Sequence, residues 1–178
     1  MAHSNHISLD GVLEEPVSFA FELPLTLATL DREPLQEISP VILEGTVSPI
    51  DGGYSLDARC AFQGKLECSR CLAGYPFAVD ETFSLLLYPR AAGALGPGRD
   101  EPDVVEYEDG RLAVEPIAEE RVQLAIPMKP LCRRECLGLC PRCGADRNEG
   151  FCGCQEEVAD PRWGALEAFR DATKPQKV

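Results

Sequence analysis

Nine cysteines stand in this chain, and eight of them fall at spacings that could hold metal. Cys140-Pro-Arg-Cys143-Gly144 has the form of a zinc knuckle. Two cysteines three apart can put both thiolates on one ion, while the N–H groups between them turn toward the sulfurs and a following glycine closes the turn. Cys152 and Cys154 can complete a tetrahedral set, with Gly150 and Gly153 giving the backbone room to fold back. A second knuckle, Cys68-Ser-Arg-Cys71, lies far upstream, and Cys132 and Cys136 form the remaining pair. The preferred division is therefore Cys68, Cys71, Cys132 and Cys136 for one zinc ion and Cys140, Cys143, Cys152 and Cys154 for another. Spacing alone does not fix connectivity, so one ion or two, and an interleaved pairing, remain open at this point.

Four thiolates close the coordination shell and leave no position for a water, so the zinc expected here is structural rather than catalytic. The histidines, His3 and His6, lie near the N-terminus, which reads as frayed, and take no role. A redox reading of Cys68–Cys71 requires a βαβ setting and an electropositive helix end, whereas this pair sits between antiparallel strands in an acidic chain. The ninth cysteine, Cys60, alternates with Ala58 and Phe62 and reads as a small core residue.

The elements that must position these cysteines are read from periodicity. Val17, Phe19, Phe21 and Leu23 alternate with polar or small residues, as in a half-buried strand. Residues 41–88 read as a three-stranded antiparallel meander, with a turn at 49–54 and the Cys68–Cys71 knuckle at the second hairpin tip. A Gly/Pro-rich loop follows at 89–103. Residues 103–116 resemble a short hairpin with Asp109-Gly110 at its tip. A helix is expected near 116–126, opened by Pro116 and presenting Ala118, Val122, Ala125 and Ile126 on one face, with Pro127 and Pro130 as its stop. A short closing helix is expected at 160–171, with Asp160 as N-cap, Pro161 after it, and Trp163, Leu166 and Phe169 on one face.

Charge divides the chain unevenly. Residues 1–126 carry 22 acidic and 8 basic side chains, and residues 127–178 carry 8 and 9. An acidic body repels phosphate and suits a basic protein partner, so any nucleic-acid contact is expected from the C-terminal part. There Lys129, Arg133, Arg134, Arg142 and Arg147 surround the cysteines. Arg133, Arg134, Arg142 and Arg147 are candidate RNA contacts, although arginines beside a tetrathiolate site of formal charge near −2 also serve simply to offset it. No apolar run approaches the roughly 20 residues of a spanning helix, and the N-terminus has no secretory pattern, so the expected location is the cytoplasm, where thiols stay reduced.

The cysteine elements, taken in order, resemble the YceD family, the large ribosomal RNA subunit accumulation proteins. Cys68, Arg70, Cys71 and Leu72 match its Cys-x-Arg-Cys-Leu element. Pro130, Cys132 and Cys136 match the next, and Gly138, Leu139, Cys140, Pro141, Cys143 and Gly144 the third. Asn148, Cys152, Cys154 and then Asp160, Pro161 and Arg162 complete the series. The resemblance implies a cytoplasmic, non-enzymatic factor needed for 23S-type rRNA to accumulate. Its implied partners are large-subunit rRNA, a basic large-subunit ribosomal protein, or both, with no membrane and no small-molecule substrate. It also favours joining Cys68 and Cys71 to Cys132 and Cys136. A cytosolic thiol redox or stress-sensing zinc protein is the alternative.

The expected fold is α+β: an antiparallel sheet with one main helix and a zinc-ribbon-like C-terminal segment closed by a short helix. Residues 1–130 are expected to form the β-rich body. Residues 131–178 are expected to form the cysteine-rich segment, packed with the Cys68/Cys71 knuckle.

Overall fold

A computed structural model describes residues 5–9, 15–30, 33–90 and 103–154. Its longest signals are the strands with the clearest alternation. In β5 (Gly53–Glu67), Leu56, Ala58, Cys60, Phe62 and Leu66 all point inward and are buried. β5 pairs antiparallel with β4 (Val41–Ile50) and with β6 (Gly74–Pro89), which is the expected meander. β2 (Val17–Leu23) adds antiparallel to β4. At the Gly45–Ala58 pair the strands approach so closely that a Cβ on Gly45 would stand 2.2 Å from the Asp57 carbonyl oxygen, so only glycine fits there.

Four features depart from the reading of the sequence. β3 (Leu35–Ile38) pairs with β5 beyond the end of β4. β7 (Val104–Tyr107) pairs with β6 in parallel, so the sheet is mixed rather than purely antiparallel. The expected 103–116 hairpin does not form a ladder. Its turn exists, with Asp109 and Gly110 both at positive φ and the Arg111 N–H donating to the Glu108 carbonyl at 2.9 Å. Beyond that single bridge the strands part, because β8 (Arg111–Ala113) pairs instead with β1 (His6–Ser8). Residues 6–8 are thus a strand and not a frayed end, held by the burial of Ile7 and Leu9, with His6 facing solvent.

One turn of helix, α1 (Leu27–Leu30), precedes β3. The main helix, α2 (Glu115–Ala125), starts one residue before Pro116. Ile117, Ala118 and Val122 are buried on it, Ile126 is buried just past its end, and Ala125 packs at the margin. These residues join the inward side chains of the sheet in a single apolar cluster. The Arg121 guanidinium lies over the Phe83 ring, 4.8 Å from its centroid. Cys60 is fully buried within that cluster, and burial pushes its thiol up to about 11.

The chain forms two compact units that part between Cys136 and Leu137, later than the 130/131 division expected from the sequence. The reason is local: the 127–136 loop is bonded to the β5–β6 turn of the first unit. The Ser69 N–H donates to the Pro130 carbonyl at 2.9 Å. The expected helix at 160–171, with Trp163, Leu166 and Phe169, and most of the Gly/Pro-rich loop lie outside the described residues.

Candidate metal centres

The two knuckles are built alike. In the first, the Cys68 N–H donates to the Ala73 carbonyl at 3.0 Å and the Leu72 N–H to the Cys68 carbonyl at 2.9 Å. In the second, Cys140 N–H to Ala145 and Gly144 N–H to Cys140 repeat the pattern at 2.8 and 2.9 Å. Both turns end on a left-handed residue, Leu72 at φ 59° and Gly144 at φ 74°. Glycine takes that conformation freely, and leucine takes it at a cost.

Each knuckle is completed by the pair that its own unit supplies. Cys68, Cys71, Cys132 and Cys136 bring their sulfurs within 4.8 Å of one another, and so do Cys140, Cys143, Cys152 and Cys154. The Cys68–Cys136 and Cys71–Cys132 sulfur separations are both 3.8 Å. That is far beyond a disulfide bond. It equals the edge of a tetrahedron with metal–sulfur bonds of about 2.3 Å, which works out at about 3.8 Å. The donor chemistry and the spacing therefore fit one four-coordinate ion in each set. All eight sequence-selected cysteines are in these sets, and the ninth, Cys60, is in neither.

The electrostatics favour anionic sulfur at one position in each set. Burial opposes ionisation of Cys68, but N–H groups of Cys132, Cys71 and Arg70 aimed at its sulfur outweigh burial and bring the thiol down to about 6. Backbone N–H groups of Cys143 and Arg142 bring Cys140 down to about 6 in the same way. Among crowded neighbouring thiols the opposite holds. Burial and its three partner sulfurs push Cys132 up to about 12, and the Cys143 and Cys152 sulfurs with burial push Cys154 up to about 12. A cation binding at either set would displace the protons so retained.

Two residues with supporting roles were not singled out by spacing or charge. Arg70 donates from Nη1 to the Cys136 carbonyl at 2.7 Å and to that of Arg134 at 3.4 Å, which ties the first knuckle to the loop carrying the other two sulfurs. Asn148 does the corresponding work in the second unit. Its Oδ1 accepts from the Leu137 N–H at 2.8 Å, and its own N–H and Nδ2 donate to the Asp146 carboxylate. The clue for Arg70 was its place, third in a knuckle, which Arg142 repeats. The four candidate arginines, Arg133, Arg134, Arg142 and Arg147, are all exposed. None of them pairs with an acidic side chain among the described residues.

Comparison with known proteins bears on the same stretch. The model of the family described as large ribosomal RNA subunit accumulation protein YceD matches residues 56–170, which contain most of β5, all of β6 and both cysteine sets. The chain belongs to the YceD family. Uncharacterized proteins of Mycobacterium tuberculosis and Mycobacterium bovis are 28% identical over 155 residues, covering 86% of this chain and 71% of each relative. An uncharacterized protein of Mycobacterium leprae is 31% identical over 111 residues, covering 62% of this chain and 50% of the relative. No solved structure matches. The YceD description is that of an accumulation factor and names no reaction. No helix among the described residues is long and apolar enough to cross a membrane.

Proposed function

We propose that this protein is a zinc-stabilised, non-catalytic factor in biogenesis of the large ribosomal subunit, acting in the cytoplasm to support accumulation of 23S-type rRNA. The observation that carries this reading is the YceD match over both cysteine sets. Zinc is the metal favoured by an all-thiolate tetrahedral donor set, and such a closed shell supplies folding energy rather than a reactive water. The C-terminal set would then be a small zinc ribbon. Such a ribbon has too little apolar surface to fold on its own.

Two modes of action fit the charge distribution. In one, exposed arginines of the cysteine segments contact precursor rRNA. In the other, the acidic body receives a basic ribosomal protein. A tagged pull-down from growing cells at moderate salt, with and without RNase, tests the reading. Large-subunit precursor rRNA with early large-subunit proteins, released by RNase, supports the RNA mode. One basic ribosomal protein surviving RNase supports the escort mode. Recovery of neither refutes the function proposed.

The thiol-sensing alternative has one observation in its favour, the solvent-exposed Cys143 beside the low-titrating Cys140. It requires zinc loss with disulfide formation near the cytosolic glutathione potential. Retention of zinc and free thiols across that range excludes it.

A further inference from the structure

The first unit carries most of the acidic charge, yet its metal loop is cationic. Elsewhere in that unit Arg59 pairs with Glu44 and Asp80, Lys65 with Glu37, Arg90 with Glu106 and Glu108, and Arg121 with Glu120. On the loop 129–136, Lys129, Arg133 and Arg134 are exposed, with no such partner among the described residues. Among the described residues of the unit, Arg111 on β8 is the other guanidinium without an acidic partner apart from Arg70.

The loop is held by its backbone. Pro130 and Cys136 give their carbonyls to the knuckle, Arg133 gives its carbonyl to the Cys136 N–H at 3.1 Å, and Arg134 gives its carbonyl to Arg70. The Cys132 N–H is aimed at the Cys68 sulfur. With the main chain committed inward, the side chains of Arg133 and Arg134 are left on the outside. Neither guanidinium is used in holding the loop, whose bonds to Ser69 and Arg70 of the knuckle all run through its main-chain groups.

We propose that the loop 129–136, clasped by Arg70, is a preorganised phosphate-backbone surface through which the first unit binds RNA, with Arg133 and Arg134 as the contacts and Arg70 as the positioning residue. This rests on the functional reading above and commits it to the RNA mode and to one of the two cysteine sets. A loop fixed before binding loses little conformational freedom on contact, so its cations act at full effect. The absence of an aromatic partner on this loop means that it grips backbone and does not stack bases.

The test is filter binding of the zinc-loaded full chain to in vitro transcribed 23S-type rRNA over about 50–200 mM KCl. Arg133→Ala/Arg134→Ala should keep its zinc, lower affinity on the order of tenfold near 0.15 M salt and reduce the salt slope by about 1.5. Arg142→Ala/Arg147→Ala should lose less. Arg70→Ala should lose RNA affinity and also release zinc faster to a chelator, a change that Arg133→Ala/Arg134→Ala should not show. Wild-type affinity and slope in Arg133→Ala/Arg134→Ala overturn the proposal. So does a larger loss in Arg142→Ala/Arg147→Ala. Unchanged zinc release in Arg70→Ala removes the clasp. If the wild-type chain binds no rRNA at any salt, the functional reading itself falls, which is a different result from a variant that matches a binding wild type.

Discussion

The two cysteine sets share a turn, a donor list and an arginine at the same position, but they are embedded differently. In the first set Cys68, Cys71 and Cys136 are buried, and the knuckle is the tip of the longest hairpin of the sheet. In the second only Cys140 is buried and Cys143 is exposed, in a stretch whose described residues form turns and one isolated bridge. The first metal would therefore reinforce a structure that has its own apolar core. The second would supply most of the order in its surroundings. The same chemistry has a different thermodynamic meaning depending on what stands behind it.

The strongest way to break this comparison is to remove one sulfur from each set. Cys68→Ser should lower the stability of the sheet unit by at least about 4 kcal/mol, or on the order of 10 °C in Tm. Cys140→Ser should lose about one zinc ion and expose the C-terminal stretch to protease, with the sheet transition nearly unmoved. Equal shifts in scanning calorimetry would show that the two units unfold as one. A chelator separates the sets in time. Zinc should leave in two phases, the second set first and roughly tenfold or more faster, because it needs only local opening. Acidification should ease removal from both sets. The metal-bound state requires every thiolate deprotonated, whereas Cys132 and Cys154, pushed up to about 12, hold protons when metal is absent. Protons therefore favour the metal-free state. A single phase, or a rate that does not rise as pH falls, contradicts this account.

Smaller effects sharpen the comparison within each unit. Asn148→Ala leaves the Leu137 N–H without its acceptor and should weaken zinc binding at the second set by about 1–2 kcal/mol in competition titrations, without touching the first. The left-handed residue that ends each turn should respond in opposite directions. Gly144→Leu should destabilise the second site by about 1 kcal/mol, and Leu72→Gly should stabilise the first by somewhat less, since Leu72 is 56% exposed and buries little. Chemical unfolding that gives the same sign for both would mean that the turns are not equivalent.

What the sequence makes legible follows from the range of the interaction. Alternation from Tyr54 to Phe62 and from Phe77 to Leu87 is a signal carried by neighbours, and it yields the meander with its inward faces. β1 and β3 are three and four residues long, too short for a period to show. The parallel pairing of β7 with β6, and the partnership of β8 with β1, depend on distant segments that leave no local mark. The cysteine spacings yield pairs readily. Joining 68 and 71 to 132 and 136 needs the sheet and the 127–136 loop to bring them together. Arg70 and Asn148 went unassigned because most of their partners are main-chain groups, which have no residue identity to read.

The pairing of β1 with β8 bears on the order in which this chain can be completed. Asn5 receives the Val114 N–H on its carbonyl at 3.1 Å and donates to the Glu115 carboxylate, so the segment before β1 closes the start of a helix that lacks a side-chain cap of its own. Leu9 in turn donates its N–H to the Gly110 carbonyl at 2.7 Å. During synthesis, residues 5–9 must wait more than a hundred positions for these partners to be made. The earliest part of the described chain to emerge therefore completes its strand pairing only after residues 110–114 have been made.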